Sequence, residues 1–327
     1  MLSAHYLLFK GTQMDEVKKL SIANFNITYG PDNDPMLTHF QDILYPAFCN
    51  EQKVRTSKNV SYFSDVELKL INSEYVLTGN LIRETHYRVR TIVVDNELVP
   101  SPSSVPTAPY SRFIIYLKSH RMILVKNEGQ SPNLKSFQAV LRKVVDRYTR
   151  EANRERDKAG LPQLPNAVIN IVNMPLPDSI DETINEFAKI KSINLRFFPL
   201  NNDIDPGPIL ACVRSAMNSV DSKTGNLTFN SPKSAKGISD LFQDSIASGV
   251  ASATVTGEKT DGTKVKITDN QLGSELQIPS AGNLSGDDDK RIADYCMKRN
   301  YLPEASEDNA AFYFKALNIL ELLVNKI

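Results

Sequence analysis

The feature that most restricts this chain is a pair of nearly continuous apolar runs, Arg112-Phe-Ile-Ile-Tyr-Leu-Lys118 and Arg121-Met-Ile-Leu-Val-Lys126, joined around Ser119 and His120. Runs of β-branched and aromatic residues at this length read as strands. A strand that is apolar on both faces must be covered on both, so the pair is predicted to be a central hairpin and not an edge. Ser131 and Pro132 then predict a helix start, Ser131 as N-cap and Pro132 in the first turn, where its missing N–H costs nothing. The helix is predicted to run to about Asp157, roughly 39 Å at ~1.5 Å per residue. Leu134, Phe137, Leu141, Val144 and Tyr148 alternate between three- and four-residue spacings, and Val140 and Val145 widen the stripe. Lys143, Arg147, Arg150 and Arg154 repeat on the opposite side, so the wet face is cationic.

The rest of the chain is read around that unit. Lys19–Tyr29 is predicted as a strand stopped by Gly30 and Pro31, and Asp34 with Pro35 opens a short helix ended by Pro46. Three strand-like segments follow, Val66–Ile71, Tyr75–Ile82 and Tyr87–Val94, as an antiparallel meander. Prolines 100, 102, 106 and 109 crowd the next stretch, a composition expected to end a ladder and to form a linker or long exposed loop. Beyond the basic helix the pattern alternates. Strands are predicted at Ala167–Val172, Ser192–Pro199 and Leu227–Phe229, helices at Ile180–Lys189, from Asp205 to about Val220 and at Ser234–Ile246. A hairpin at 250–267 is closed by Asp261-Gly262. Residues 268–290 read as an exposed linker, and two helices end the sequence, about Lys290–Arg299 and Asp308–Asn325.

The fold class expected is α+β. It has an antiparallel β-rich N-terminal unit over 1–100, a central β-α-β unit, ferredoxin-like or similar, over 110–270, and a C-terminal helical segment over 285–327. The 327 residues exceed one ordinary core. No apolar run approaches the roughly 18 residues of a membrane span, and no secretory signal pattern opens the chain, so the cytoplasm is the expected compartment. Cys49, Cys212 and Cys296 share no metal-binding or disulfide spacing and are expected to be reduced and buried.

Net charge is zero, yet positions 101–150 hold nine basic and two acidic residues. Local field is therefore the pointer to an anionic partner. Besides the helix stripe, Arg88 and Arg90 flank His86, and Lys118, His120 and Arg121 sit together, so these nine cations and histidines are the candidate nucleic-acid contacts: Arg88, Arg90, Lys118, His120, Arg121, Lys143, Arg147, Arg150 and Arg154. The plainer reading of the stripe is intrahelical pairing of Asp146 with Arg150, Glu151 with Arg154 and Glu155 with Lys158.

Catalytic patterns are sparse. No phosphate-cradling glycine loop occurs. Asn201, Asp203 and Asp205 have the opening spacing of a calcium loop, but Pro206 and Cys212 stand where its glycine and glutamate belong, so helix capping is expected there. Asp65, Glu67 and Lys69 place carboxylates and a lysine on one strand face, as a metal-dependent nuclease requires, and the pattern also occurs by chance elsewhere in the chain. A metal-free ribonuclease could use His86 and His120 as acid and base. No cofactor, metal ligand set or catalytic residue is assigned. The closing helix carries Phe312, Phe314, Leu317, Leu320 and Val324 around most of its circumference, so a homo-oligomer is expected to bury what the chain itself does not.

The Ser111-Arg-Phe start of the hairpin, the Ser131-Pro132 helix, and Ala253-Thr-Val-Thr-Gly257 followed by Asp261-Gly-Thr-Lys-Val265 resemble uncharacterised bacterial proteins encoded near phage-defence and mobile-element genes. The resemblance touches residues 110–150 and 235–280 and transfers no site residue. It implies a subunit of a defence system, with partner subunits of that system. Together with the charge pattern, the expected function is a nucleic-acid-engaging, non-catalytic subunit. A nuclease and a purely structural, oligomerising protein are the alternatives.

Overall fold

The computed structural model describes residues 16–56, 58–198, 208–247, 251–271, 276–280, 282–302 and 304–325. Its first elements build most of one large antiparallel sheet: β1 (Glu16–Tyr29), β2 (Asp34–Pro35), a helical turn leading into α1 (Tyr45–Cys49), β3 (Val54–Arg55), β4 (Val60–Ile71), β5 (Glu74–Arg88), β6 (Thr91–Val94), β7 (Glu97–Pro100), β8 (Ser104–Thr107), β9 (Tyr110–Tyr116) and β10 (Arg121–Lys126). The proline-rich stretch does not end the ladder. Pro100 lies opposite Thr91, and Pro106 lies opposite His86. Each strand of a two-stranded ribbon has a free edge, and a proline whose nitrogen points there removes no ladder bond.

After β10 comes α2 (Leu134–Lys158), capped by Asn133, whose side chain accepts from the Ser136 N–H at 3.0 Å. Ser131 instead accepts from the Glu128 N–H, so the helix starts later than expected. With β11 (Ala167–Asn173) the sheet runs in the order β11-β1-β10-β9-β5-β4-β3, which makes β9 and β10 central, as their apolar runs require. Phe113, Ile115, Met122 and Leu124 face α1 and α2, while Ile114, Tyr116, Ile123 and Val125 face the other way. Phe48, Phe63, Phe113 and Phe137 meet with ring centroids 4.7 to 6.3 Å apart and seat α1 and α2 on the sheet. Gly79 leaves room for this, since a Cβ there would lie 2.7 Å from the Phe113 ring.

A second, four-stranded antiparallel sheet follows, from α3 (Pro177–Asn185), β12 (Phe187–Phe197), α4 (Pro208–Ser219), β13 (Gly225–Asn230), α5 (Ala235–Phe242), β14 (Ala251–Lys259) and β15 (Lys264–Thr268). Its order is β13-β12-β14-β15. From α3 the described elements succeed one another as α-β-α-β-α-β-β, whereas a ferredoxin-like unit would read β-α-β-β-α-β. The expected cap at Asp205, the calcium-like run 201–205 and residues 1–15 lie outside the described residues.

The chain then returns to the large sheet. β16 (Leu276–Ser280) pairs with β1, α6 (Asp289–Lys298) lies on the face opposite α2, and α7 (Glu307–Val324) packs Tyr313, Ala316 and Leu320 into the α2-side core. The segment read as an exposed linker is therefore partly structural: Ile278 and Leu284 are buried, and so is Asp289. The large sheet also cuts across the partition expected from sequence, since its strands come from residues 16–126, 167–173 and 276–280. Cys296 is buried under α6, which pushes its thiol up to about 12, but Cys49 and Cys212 are exposed. Among the described residues no helix is long and apolar enough to cross a membrane.

What holds α6 in place is ionic. Arg112, on β9, is 1% exposed, and its Nε and Nη2 donate to the two Asp289 carboxylate oxygens at 2.8 and 2.7 Å. Thr78 and Asn80 accept from the same guanidinium at 3.1 and 3.3 Å. Lys69 Nζ reaches Asp289 and Glu67, both at 2.9 Å. Burial would lower the Lys69 pKa, and the pairs with Glu67 and Asp289 outweigh it, leaving the ammonium above its usual value.

Removing one partner strands the other charge in the core. Asp289→Ala is therefore expected to lower the unfolding free energy by about 3–5 kcal/mol in a urea titration, while the apolar pair Arg112→Met with Asp289→Leu recovers most of it. A loss below about 1 kcal/mol for the single variant would show the clasp to be incidental. Because the folded Lys69 pKa is raised, its stabilisation is complete below the unfolded value of about 10.5 and fades as pH climbs through the higher folded value. Stability measured against pH should thus fall less steeply above about 10.5 in Lys69→Met than in the parent chain. Parallel curves would contradict the sign.

Candidate nucleic-acid interface

The outward side of α2 is as cationic as its spacing requires, but part of it is already neutralised. Arg150 pairs with Asp146 at 2.6 Å and Lys158 with Glu155 at 2.7 Å, the intrahelical pairs that sequence spacing anticipates. Lys143, Arg147 and Arg154 are exposed and make no ion pair among the described residues. Arg147 turns off the helix to donate to the Lys53 carbonyl at 3.3 Å. That contact ties α2 to the β3 edge of the sheet.

From Lys53 the cationic surface continues. Lys53 Nζ pairs with Glu84 at 3.1 Å and lies 4.5 Å from the Tyr62 ring centre. Arg55 and Lys58 stand exposed beside it. Glu84 marks the point where β5 leaves the sheet: Val60 of β4 is opposite it, and beyond it β5 pairs only with β8. The ribbon then extends through β6 and β7 to a tight turn at Asp95 and Asn96, whose φ angles of 50° and 66° fit a type I′ turn. From Thr85 to Val94 it is about 33 Å long at ~3.3 Å per residue.

His86 and Arg88 alternate along β5 and so share one side of it, and Arg90 follows between β5 and β6. With Lys58 they line an open groove of about 1220 Å³ at the arm's root. Tyr87, Val93, Leu98 and Val105 are exposed on the alternate side. Arg83 donates to the Gln130 carbonyl and keeps the root against the loop before α2. Lys53, Arg55 and Lys58 were not singled out from sequence, although three bases within Glu51–Lys58 were a usable signal.

The other sequence candidates sit elsewhere. Tyr116 on β9 is opposite Val76 on β5, so the 118–121 turn lies past Val76, at the end of the sheet opposite the arm. His86 and His120 are separated by about ten residues of strand, roughly 33 Å, which removes the acid–base pair. His120 and Arg121 are 1% and 4% exposed, so they are corrected from surface contacts to buried residues. The His120 carbonyl accepts from the Phe25 N–H at 2.8 Å, and Arg121 donates to Asn24 at 2.8 Å, folding that turn onto β1. Lys118 pairs with Glu74 at 3.4 Å.

The Asp65, Glu67 and Lys69 group is likewise committed. Asp65 occupies a bulge with φ 48° and accepts from Asn80 at 2.7 Å, and Glu67 and Lys69 belong to the Asp289 clasp. Among the described residues no three His, Cys, Asp or Glu side chains are placed to hold a metal ion. On α7, Phe314 and Leu322 are each 61% exposed and Ile319 is also outside, whereas Phe312, Leu317 and Val324 are half-buried and Leu320 is buried. The face left over for a second copy is narrower than sequence suggests. No protein-family model matches the chain, and no curated protein matches it either.

Proposed function

We propose that the chain is a nucleic-acid-engaging, non-catalytic subunit of a bacterial anti-phage defence or mobile-element system, holding a duplex by its sugar–phosphate backbone. The observation that carries this reading is the bridge at Lys53. It joins Lys143, Arg147 and Arg154 on α2 to Arg55, Lys58, Arg88 and Arg90 at the root of the arm. Two cationic segments far apart in sequence thereby lie along one edge of the sheet, and phosphate contacts from such cations position a protein on a duplex without reading bases. A two-stranded ribbon is also of a size that a major groove admits. The nuclease alternative is not favoured, because Glu67 and Lys69 are engaged in the clasp and Asp65 accepts from Asn80. Self-association through Phe314, Ile319 and Leu322 belongs to the same proposal.

Fluorescence anisotropy with a labelled duplex tests it. The parent chain should bind with an affinity that falls steeply from low to moderate salt. Arg88→Glu with Arg90→Glu, and separately Lys143→Glu with Arg147→Glu, should each weaken binding about tenfold or more, and Lys118→Glu should leave it unchanged. No binding at low salt, or equal effects from Lys118 and the arm, would refute the reading.

A further inference from the structure

The second sheet has a face that the proposed interface does not use. Residues of α3, α4 and α5 (Ile180, Ile184, Met217, Ile238 and Phe242) all join one core with Ile193, Leu195, Phe197, Ala253 and Val255. Because side chains alternate along a strand, the intervening positions form the opposite face. Register fixes its rows: Arg196 opposite Ser252 and Asn226, Asn194 opposite Thr254 and Thr228, Ser192 opposite Thr256 and Asn230. Lys266 and Lys264 follow on β15 opposite Thr256 and Glu258, and Lys189 sits opposite Glu258 on β12. Every one of these positions bears a hydroxyl, an amide or a charge, and the central ones stay partly exposed.

The charges on this face are one-sided. Among the strand positions named, Lys189, Arg196, Lys264 and Lys266 stand against Glu258, while Glu182 of α3 and Glu186 just after it share the edge pocket that Lys264 and Lys266 line. Lysines on the edge strand β15 could serve only to discourage pairing with another sheet. Arg196 and Lys189 are on the interior strand β12, where that explanation does not reach. The face also lies toward α2: the Arg142 guanidinium, anchored to the Ile169 carbonyl at 3.0 Å, is held below its usual pKa first by burial and then by the charge of Arg196. Two guanidinium groups held near one another favour an anion beside them.

Resting on the reading above, we infer that the open face of the second sheet is a second backbone-binding site for the same duplex, with Arg196, Lys264 and Lys266 neutralising phosphates and Ser252, Thr254 and Asn194 donating to phosphate and sugar oxygens. Its chemistry selects the backbone. Base stacking needs a free aromatic platform; the rows named here present none, and the neighbouring Phe198 ring carries the Arg196 guanidinium 5.6 Å from its centre. Hydroxyl and amide donors are common partners of phosphate oxygens.

Each neutralised phosphate contributes about 0.9 to the slope of log affinity against log salt for a duplex. The triple variant Arg196→Glu, Lys264→Glu, Lys266→Glu of the full chain should therefore bind duplex about tenfold or more weakly and lose roughly 2–3 from that slope. The neutral version, Arg196→Gln, Lys264→Gln, Lys266→Gln, should show the same slope change with an unaltered thermal melt, which separates lost contacts from lost folding. If both variants keep the parent's affinity and slope while the Arg88 and Arg90 variant loses binding, this site is overturned and the proposed function stands. If the parent chain does not bind duplex, the proposed function falls and takes this inference with it.

Discussion

A guanidinium buried in the middle of a β-sheet must find partners inside the fold, and for Arg112 the carboxylate that meets it arrives from 177 residues away. Arg112 sits on a central strand with 1% of its surface exposed. Unpaired, it would cost several kcal/mol, so the chain after the second sheet must return and place Asp289 against it. That return lays down β16 along β1, seats Ile292, Ala293 and Cys296 over the α6-side core, and leads into α7. Lys69 shares the same carboxylate, and Glu67 balances Lys69, so the local charge sums to zero. The residues most like a nuclease face are thus the ones that hold the molecule closed.

The clasp also divides the surface charge into two classes. Cations on strands inside the large sheet, Arg112 and Arg121, are consumed by internal partners. The exposed cations of the proposed interface lie instead where elements leave the sheet: on the outer side of α2, along the short β3 edge, and on the arm past Glu84. Antiparallel register decides this, since it sends the 118–121 turn to one end of the sheet and residues 86–90 to the other. A charge count along the sequence adds those two ends together. The fold separates them.

Much of the architecture is visible locally. The apolar runs of β9 and β10 demand cover on two faces and receive it, and the α2 stripe places Leu134, Phe137, Leu141 and Val144 in the core as its period requires. The Asp261-Gly262 turn closes its hairpin with Gly262 at φ 82°, the conformation that glycine adopts without strain. What local pattern could not show is long-range. Nothing near Asp289 marks it as a buried partner among three consecutive aspartates, and nothing near His120 says that its turn folds onto Phe25. The prolines at 100 to 106 misled for a different reason: they forbid an interior strand but not a ribbon with free edges. On α7, apolar residues all round the helix call for burial within this chain or against another, and this chain by itself leaves Phe314 and Leu322 outside.

The central claim is spatial, that the arm root, the β3 edge and the α2 stripe act as one surface toward a duplex. Amide hydrogen exchange read by mass spectrometry, with and without duplex DNA at low salt, tests it most directly. Slowed exchange is expected in peptides spanning 53–60 and 84–107, with α2 peptides from 143 to 154 protected at their outer turns and the 116–124 turn unchanged. Protection centred on 116–124, or no change anywhere while the duplex is bound, would contradict the account.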